Sequence, residues 1–342
     1  MLVMFVGLMG RGQTTYHRMI ALKNLGHEVH TVDTAISPYG TLKRLVAKVL
    51  NRMGWPLDSA GVNAAILRAM QLRRYDILWL DKVLTVRANT LKKVTALHPD
   101  CARVFYSPDD QMNSSNQSRY YLGLLPWLNI HFTTKSYNVE ELKAIGCPRV
   151  YLIGNGYCPE IHRPWDLTSG ELARWQSEVG FIGGFEKERF HSMLRLAKKG
   201  IVVHITGSFW RRVEKAHTNL RFSHGDLVAA DYSKAICATK INLCFLRKIN
   251  RDLVTTRSIE IPACGGFMLA ERTDGHLALF KEGEEAEFFD SDDELFDKVQ
   301  YYLSHPNERQ RIAAAGRTRC LRSRYSNEDR MHEMLGAIKN QV

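Results

Sequence analysis

The chain has 342 residues, of which 45% are hydrophobic and 24% charged, so its composition is that of an ordinary globular protein. No short repeat or low-complexity tract is present, which argues against a solenoid. The chain is longer than a single hydrophobic core usually supports, so two domains of about 150 residues are expected. The formal net charge of +11 favours an anionic partner, which could be a nucleotide, a phosphorylated sugar, an acidic lipid surface or nucleic acid.

The seven cysteines are scattered and form no CxxC pair. This spacing argues against a disulfide framework or a zinc site and is typical of reduced, packed thiols in a cytoplasmic protein. The opening stretch MLVMFVGLMG lacks a basic leader and is too short to span a bilayer, so it predicts a first buried strand.

The first half of the chain alternates strand-like and helical stretches. Strands are predicted at 2–7, 27–33, 75–82, 102–110 and 129–135, with a helix at 14–26 after the first of them. This alternation predicts a parallel sheet covered by helices, with ligands bound beyond the carboxyl ends of the strands.

Residues 41–55 predict an amphipathic helix. One face carries Leu42, Leu45, Val46, Val49, Leu50 and Met53, and the others carry Lys43, Arg44, Lys48 and Arg52. The pattern fits a helix lying on an anionic membrane, and it also fits an ordinary basic surface helix, which is the favoured interpretation.

Prolines and glycines at 153–178 predict a linker, after which the alternation restarts. Strands are predicted at 179–185, 201–207 and 241–247, with helices at 186–200 and 231–240. We therefore expect two doubly wound α/β domains that face each other across a cleft.

Two glycine-containing loops could bind phosphate. In the first, Gly7, Gly10 and Gly12 separate a strand from a helix, but their spacing is not that of a dinucleotide fingerprint, even with Asp33 ending the next strand. In the second, Gly183 and Gly184 precede a helix, with Lys187 and Arg189 just inside it. A tight βα turn explains the first loop equally well, and a solvated helix start explains the second.

Acidic side chains mark three further places. Asp109 and Asp110 follow a strand, where they could act as a base or form a turn. The acids of FFDSDDELF suit a helix start in which Ser291 and Glu294 form a capping box, so no metal site is predicted there. Glu260 stands in an apolar run and needs a hydrogen-bonding partner.

Three segments resemble the group 1 glycosyltransferases of the GT-B fold, and most closely their spore-maturation-protein-like branch. RVYLIGNGYCPEIHRPW is similar to the signature that joins the two domains, and SIEIPACGGFMLAE to the donor-binding segment. YYLSHPNERQRIAAAGRTRCLRSRYS is similar to the closing helical region. Together these segments span most of residues 130–330.

The resemblance implies a nucleotide-sugar site in the second half of the chain. Glu260 would accept hydrogen bonds from the donor's ribose hydroxyls and would be left unpaired in the ligand-free protein. Asp252 would contact the donor sugar, although the family has glutamate there. Thr255 and Thr256 replace the family's glycine-rich turn and would bind phosphate through their hydroxyls and helix-start amides.

The remaining implied sites lie on other loops. The phosphate loop and its basic pair would be Gly183, Gly184, Lys187 and Arg189, and the N-terminal loop over the donor phosphates would be Gly10 and Gly12. Asp109 and Asp110 lie near the position where relatives carry a histidine or acid beside the reacting sugar carbon. Because Pro262 is tolerated only in a first helical turn, a helix is expected to begin near Thr255–Ile259.

The implied function is transfer of a sugar from a UDP- or GDP-sugar to a glycan, lipid or protein acceptor, without a metal, a cofactor or nucleic acid. Retention is the expected stereochemistry, with inversion still open. Residues 1–155 would bind the acceptor, 156–325 the donor, and 326–342 would form a helix that returns to the first domain. The protein is expected to be cytoplasmic, with peripheral membrane contact open. The alternatives are a non-catalytic GT-B-like binding protein and a nicotinamide oxidoreductase.

Overall fold

The computed structural model describes residues 1–35 and 41–339, with the side chains of residues 41–44 left out. The chain divides into two compact units. Unit 1 comprises Met1–Gly154, Ile249–Arg251 and the chain from Asn327 onward, and unit 2 comprises Asn155–Lys248 and Asp252–Ser326. Each unit contains one six-stranded parallel sheet with helices, which confirms the predicted α/β class with two doubly wound domains.

The sheet of unit 1 has the order β2-β1-β3-β4-β5-β6. Its strands are β1 (Leu2–Gly7), β2 (Glu28–Asp33), β3 (Ile77–Asp81), β4 (Ala102–Ser107), β5 (Ile130–Thr133) and β6 (Val150–Leu152). The helices are α1 (Thr14–Asn24), α2 (Thr41–Arg52), α3 (Val62–Leu72), α4 (Ala88–Leu97), α5 (Arg119–Leu124), α6 (Asn138–Ala144) and, near the carboxyl terminus, α14 (Asn327–Lys339). The central strands are buried on both faces because helices cover both sides, which is why they are almost wholly apolar in sequence.

The last helix belongs to the core of unit 1. Met331 and Ile338 of α14 join a cluster around Trp79, whose ring stacks between Phe5 and Phe132 at centroid distances of 6.0 and 5.9 Å. Burying these large side chains fixes α14 against one face of the first sheet.

The sheet of unit 2 has the order β12-β11-β10-β7-β8-β9. Its strands are β7 (Ser177–Ile182), β8 (Val203–Gly207), β9 (Leu220–His224), β10 (Thr239–Cys244), β11 (Met268–Glu271) and β12 (Glu287–Phe289). Its helices are α7 (Ser169–Trp175), α8 (Lys187–Lys198), α9 (Ala229–Ala238), α10 (Arg257–Ala263), α11 (Asp274–Leu279), α12 (Asp292–Ser304) and α13 (Pro306–Arg322).

Each sheet has a point where the strand order reverses. In unit 1, β2 and β3 lie on opposite sides of β1, and in unit 2, β8 and β10 lie on opposite sides of β7. The loops that leave two such neighbouring strands diverge and open a crevice at the carboxyl edge of the sheet, which is where doubly wound folds bind ligands.

Several local predictions need correction. The stretch 153–178 is not all linker, because it contains α7, which Thr168 and Glu171 start with a reciprocal capping box. The strands β6, β9, β11 and β12 were not predicted, and β6 and β12 are only three residues long.

Helix α10 begins at Arg257, inside the predicted range, but Pro262 lies in its last turn and not in its first. The helix ends at Ala263, one residue after Pro262, and Gly265 follows with φ +76°.

The acids before α12 have local partners, as the sequence predicted. The Ser291 hydroxyl accepts the backbone N–H of Glu294 at 3.2 Å, although the Glu294 carboxylate accepts from Asp290 N–H, so the box is not fully reciprocal. Asp292 pairs with Arg195 and Asp293 with Lys199.

The seven cysteines are all free thiols, as expected. Among the described residues, no helix is long and apolar enough to cross a bilayer, and no three His, Cys, Asp or Glu side chains lie together as a metal site.

Candidate functional site

The predicted donor residues of unit 2 occupy both loops at the strand-order reversal. Gly183, Gly184, Lys187 and Arg189 follow β7, and Asp252, Thr255, Thr256 and Glu260 follow β10. These two strands are hydrogen-bonded neighbours in the sheet. The fold therefore brings together two sequence segments that are about 70 residues apart.

The loop after β7 passes very close to the end of β8. A Cβ on Gly207, which has φ +148°, would lie 2.2 Å from the carbonyl oxygen of Gly183. That carbonyl also accepts a 2.8 Å hydrogen bond from Nε1 of the buried Trp210. Only glycine fits at position 207, and the fixed loop leaves the exposed Gly184 with open space around its Cα.

Arg189 lies inside the protein, whereas Lys187 is exposed. The Arg189 guanidinium donates to the carbonyls of Gly184 and Leu246, each at 3.3 Å, and pairs with Glu186 at 3.1 Å. Burial, followed by the nearby charge of Arg257, lowers the pKa of Arg189 to about 10. The predicted basic pair is thus divided between one buried and one solvated cation.

Arg257, the first residue of α10, is a site residue that the sequence did not reveal. Its guanidinium and that of Arg189 lie 5.7 and 5.3 Å from the centroid of the same ring, Phe181. In the described part of the chain Arg257 makes no ion pair. Glu186 compensates the charge of Arg189, but a second cation beside it is costly in a partly buried place unless an anion joins them.

Three buried polar atoms of this region have no hydrogen-bond partner among the residues that the structure describes. They are Nε of Arg189, Nε of Arg257 and Oγ1 of Thr255. Buried donors are normally satisfied, so a group of them at one edge indicates a place where a ligand supplies the acceptors.

The amide of Thr255 is already in use. Its N–H donates to Oγ of Ser258 at 3.0 Å, and that hydroxyl lies 2.7 Å from Nε2 of His276. Nδ1 of His276 lies 2.6 Å from the Glu271 carbonyl, so Nδ1 carries the proton and Nε2 accepts from Ser258. The expectation that this amide is available to phosphate is therefore wrong, and its neighbour Thr256 makes no side-chain cap bond.

Glu260 is 6% exposed and is not unpaired in the ligand-free chain, contrary to expectation. Its Oε2 accepts a 2.8 Å hydrogen bond from the hydroxyl of Tyr232 in α9, and burial followed by the charge of Glu260 raises the pKa of Tyr232 well above its usual value. The phenol is therefore a permanent donor.

The other carboxylate oxygen of Glu260 faces a histidine. Oε1 lies 3.8 Å from Nε2 of His162, whose pKa burial lowers to about 4. Nδ1 of His162 accepts the backbone N–H of Cys158 at 3.0 Å, so the neutral ring carries its proton on Nε2. Glu260 thus lies between the phenol of Tyr232 and the neutral ring of His162.

Asp252 is half-buried in the loop after β10, and its backbone N–H donates to the Arg247 carbonyl at 3.3 Å. The structure therefore places it on the same loop as Thr255, as expected.

Gly10 and Gly12 lie in the loop after β1, at the reversal point of unit 1. Gly12 has φ +88°, and the Gly10 carbonyl accepts the N–H of Gln13. Oδ1 of Asp33 accepts the backbone N–H groups of Met9 and Ala35 at 3.1 and 2.9 Å. Because Asp33 is engaged in holding this loop, its role as a ligand for a nicotinamide ribose loses support.

Asp110 is the anchor of a hydrogen-bond network in unit 1. Its carboxylate receives Nε and Nη2 of Arg251 at 2.6 and 2.8 Å, together with the Asn138 amide at 2.9 Å. Burial favours the neutral acid, but these hydrogen bonds outweigh it and lower the pKa of Asp110. Its oxygens are therefore committed to structure.

Asp109 has a different environment. It is 8% exposed and forms an ion pair with Lys82, which follows β3 and has a left-handed φ of +53°. The structure thus brings the ends of β3 and β4 together through this pair.

Comparison with known proteins supports the architecture. Residues 187–336, which are less than half of the chain, match the family described as glycosyl transferase-like. No curated protein matches the sequence.

Solved structures match over almost the whole chain. HepE of Anabaena, solved with UDP-glucose, superimposes with a TM-score of 0.65 at 12% identity, covering 98% of this chain and 100% of that one. Sucrose-phosphate synthase of Thermosynechococcus elongatus gives 0.68 at 12% identity, covering all of both chains. A putative UDP-N-acetylglucosamine 2-epimerase of Listeria monocytogenes gives 0.58 at 13% identity, covering 99% and 95%.

At these identities the structures show the fold alone, and that fold is GT-B. The chain therefore carries a glycosyltransferase-like sequence on a two-unit GT-B framework.

Proposed function

We propose that the protein transfers a sugar from a nucleotide-diphosphate donor, UDP- or GDP-linked, to an acceptor hydroxyl. The observation that carries this proposal is the set of unsatisfied buried donors, Arg189 Nε, Arg257 Nε and Thr255 Oγ1, at the strand-order reversal of unit 2. A diphosphate offers several acceptor oxygens and the negative charge that two adjacent guanidinium groups require.

The chemistry follows from this charge distribution. When the bond between the sugar carbon and the phosphate oxygen breaks, negative charge develops on the leaving diphosphate, and fixed cations stabilise it. In our proposal Arg189 and Arg257 supply that charge, with Lys187 at the rim, in place of a divalent metal. Gly183 and Gly184 allow the phosphates to approach the backbone closely.

The remaining predicted residues take positions around this centre. Glu260, which Tyr232 holds in place through Oε2, would accept hydrogen bonds from the ribose hydroxyls. Asp252 would contact the donor sugar, with Thr255 and Thr256 near the phosphates, and the loop of Gly10 and Gly12 is a further candidate for binding donor phosphate.

Unit 1 is the proposed acceptor-binding unit. Asp109 is the candidate base that receives the proton of the acceptor hydroxyl. Asp110 would hold the backbone next to Asp109 in position. We propose that the transfer retains the configuration of the sugar carbon. We also propose that the chain belongs to the spore-maturation-protein-like branch. The acceptor would be a glycan, a lipid-linked molecule or a protein. The peripheral membrane contact is a separate proposal, since it uses a different surface.

A non-catalytic nucleotide-binding role is the second candidate. Asp252 in place of the family's glutamate and threonines in place of its glycine-rich turn favour it. The same fold also serves a protein whose name gives it as an epimerase, so fold alone does not select transfer.

Calorimetric titration with UDP, GDP and ADP, followed by a radiolabelled donor assay with a panel of acceptors, separates these candidates. We expect UDP or GDP to bind, and donor turnover to accompany binding. Nucleotide binding without transfer or donor hydrolysis would favour the non-catalytic role. No binding by any of the three nucleotides would overturn both.

A further inference from the structure

Residues 45–57 expose an unusual amount of apolar surface. The exposed fractions are Leu45 62%, Val46 48%, Val49 53%, Met53 60%, Trp55 40% and Leu57 40%. An ordinary surface helix turns its apolar stripe toward the core. Helix α2 lies on the surface, as a basic surface helix would, but it exposes most of the apolar stripe that the structure describes.

Cations border the exposed stripe. Lys48 and Arg52 are exposed and follow Leu45 by three and seven residues, so helical periodicity places them along one edge of the apolar face. Residues 41–57 contain no aspartate or glutamate. The segment therefore combines apolar surface with uncompensated positive charge.

The far end of the segment is anchored to unit 1 by aromatic contacts. The rings of Trp55 and Tyr120 meet edge to face at 5.0 Å, and the Arg119 guanidinium lies 5.5 Å from the Trp55 ring. The backbone N–H of Arg119 also donates to the Gly54 carbonyl at 2.8 Å. Tryptophan, tyrosine and arginine are the side chains that suit the boundary between lipid headgroups and acyl chains.

We propose that this membrane-facing surface, residues 45–57 with Arg119 and Tyr120, lies on an anionic lipid bilayer. Its apolar side chains would enter the headgroup region while its cations meet lipid phosphates. Helix α2 has 12 residues, or roughly 18 Å at 1.5 Å per residue, which is too short to span a bilayer and suits a position in the plane of the interface.

The positive charge of this surface favours a lipid bilayer over a second copy of the chain as its partner. Two copies pairing through this surface would bring Lys48 and Arg52 against the same residues, with no carboxylate in the segment to compensate. An anionic bilayer satisfies both the apolar and the charged parts of the surface at once.

The contact would hold unit 1 at a lipid surface. Among the acceptor classes proposed above, such a contact favours the lipid-linked one. The membrane contact stands by itself, whereas the choice of a lipid-linked acceptor rests on the proposed function.

The test is co-sedimentation of the full chain with vesicles of phosphatidylcholine alone and of phosphatidylcholine mixed with phosphatidylglycerol. The wild type should sediment with the mixed vesicles, less so at high salt, and hardly at all with the neutral ones. The double substitution Val49→Glu and Met53→Glu should lower the partition coefficient at least about tenfold.

The matched control is Leu72→Glu. Leu72 is 83% exposed at the far end of α3, so its substitution, combined with Leu97→Glu at the 45% exposed end of α4, adds the same two negative charges outside the proposed surface and should leave binding unchanged. Circular dichroism melts check that all variants are folded. The double variant should bind UDP as tightly as the wild type, which separates the membrane proposal from the proposed donor site.

A second readout uses Trp55. Its fluorescence should shift to the blue on mixed vesicles, and Trp55→Phe should remove that part of the shift. Wild-type protein that ignores anionic vesicles would overturn the proposal, as would a double variant that binds like the wild type. Concentration-dependent dimers without lipid, abolished by the double variant, would assign the surface to a second copy instead.

Discussion

The phenol of Tyr232 donates a 2.8 Å hydrogen bond to Oε2 of Glu260, joining α9 to α10 beneath the proposed ribose site. This bond fixes the carboxylate and satisfies one of its oxygens inside the protein.

The first prediction concerns the ribose hydroxyls. Wild-type protein should bind UDP more tightly than 2′,3′-dideoxy-UDP by about 1.5–3 kcal/mol, because the lost hydrogen bonds are to a charged acceptor. Glu260→Ala should bind both nucleotides equally, and weakly. Calorimetry of the four combinations measures the coupling directly, and a variant that still discriminates would remove Glu260 from the ribose.

Tyr232→Phe is the companion variant, because it keeps the carboxylate and removes only its partner. It should discriminate between the two nucleotides less well than the wild type and better than Glu260→Ala. It should also lower the free energy of unfolding by about 1–3 kcal/mol, measured by urea denaturation.

The second prediction concerns the paired cations. Arg257→Gln should weaken UDP binding by about 2–3 kcal/mol, since a charge-assisted contact is lost. It should not lower the melting temperature of the ligand-free protein, because it relieves the repulsion with Arg189. The two effects together mark a residue kept for a ligand at a cost in stability.

The matched control is Arg272→Gln in the same unit. Arg272 pairs with Glu282 and Glu294, each at 2.6 Å, and with Asp290. Its loss should lower stability by about 2 kcal/mol and leave UDP affinity unchanged. If Arg257→Gln behaved like this control, the diphosphate assignment would be wrong.

Much of this architecture could be predicted from the sequence. Apolar runs such as ILWLD and NLCFL identified buried strands, and the alternation with helices identified the class. Gly183 and Asp109 each follow a predicted strand closely in the sequence, and this position identified the loops that hold them. These signals are local, so one sequence is enough to show them.

The missing site residues depend on tertiary neighbours. Tyr232 precedes Glu260 by 28 residues and meets it only because α9 and α10 pack in the same unit. Arg257 looked like a helix start until the fold placed it beside Arg189 and Phe181. Likewise, the periodicity of α2 showed an apolar face without showing that the face is exposed.

The third prediction concerns acid stability. Burial lowers the pKa of His131 to about 3, and those of His162 and His276 to about 4. In the unfolded chain these rings accept protons below about pH 6.5, whereas in the folded protein they stay neutral. The unfolded state therefore binds more protons, and the free energy of unfolding should fall as the pH drops from about 6.5 to 4.

Urea denaturation of His131→Gln across this range tests the effect. One histidine contributes a slope of about 1.4 kcal/mol per pH unit, so the variant should show a slope smaller by that amount. Substitution of the exposed His332 by glutamine is the control and should leave the slope intact. An unchanged slope in His131→Gln would show that His131 does not resist protonation in the folded protein.

The fourth prediction separates two adjacent carboxylates. Asp109→Asn should lower donor turnover, with water or an acceptor, by about 10²–10⁴-fold, because a general base is lost. UDP affinity should stay within about twofold, since Asp109 is not among the residues proposed to contact the phosphates or the ribose. The measurement is UDP release from the donor, with calorimetry of UDP alongside.

Asp110→Asn is the matched control at the next position. Asp110 is 2% exposed and accepts two hydrogen bonds from Arg251, so its loss should destabilise the protein. Because Arg251 is partly exposed, the expected loss is only about 1–2 kcal/mol. Turnover should change much less than in Asp109→Asn, because both oxygens of Asp110 are committed to structure. Full turnover by Asp109→Asn would refute its role as base, and a larger loss in Asp110→Asn at equal stability would transfer that role to Asp110.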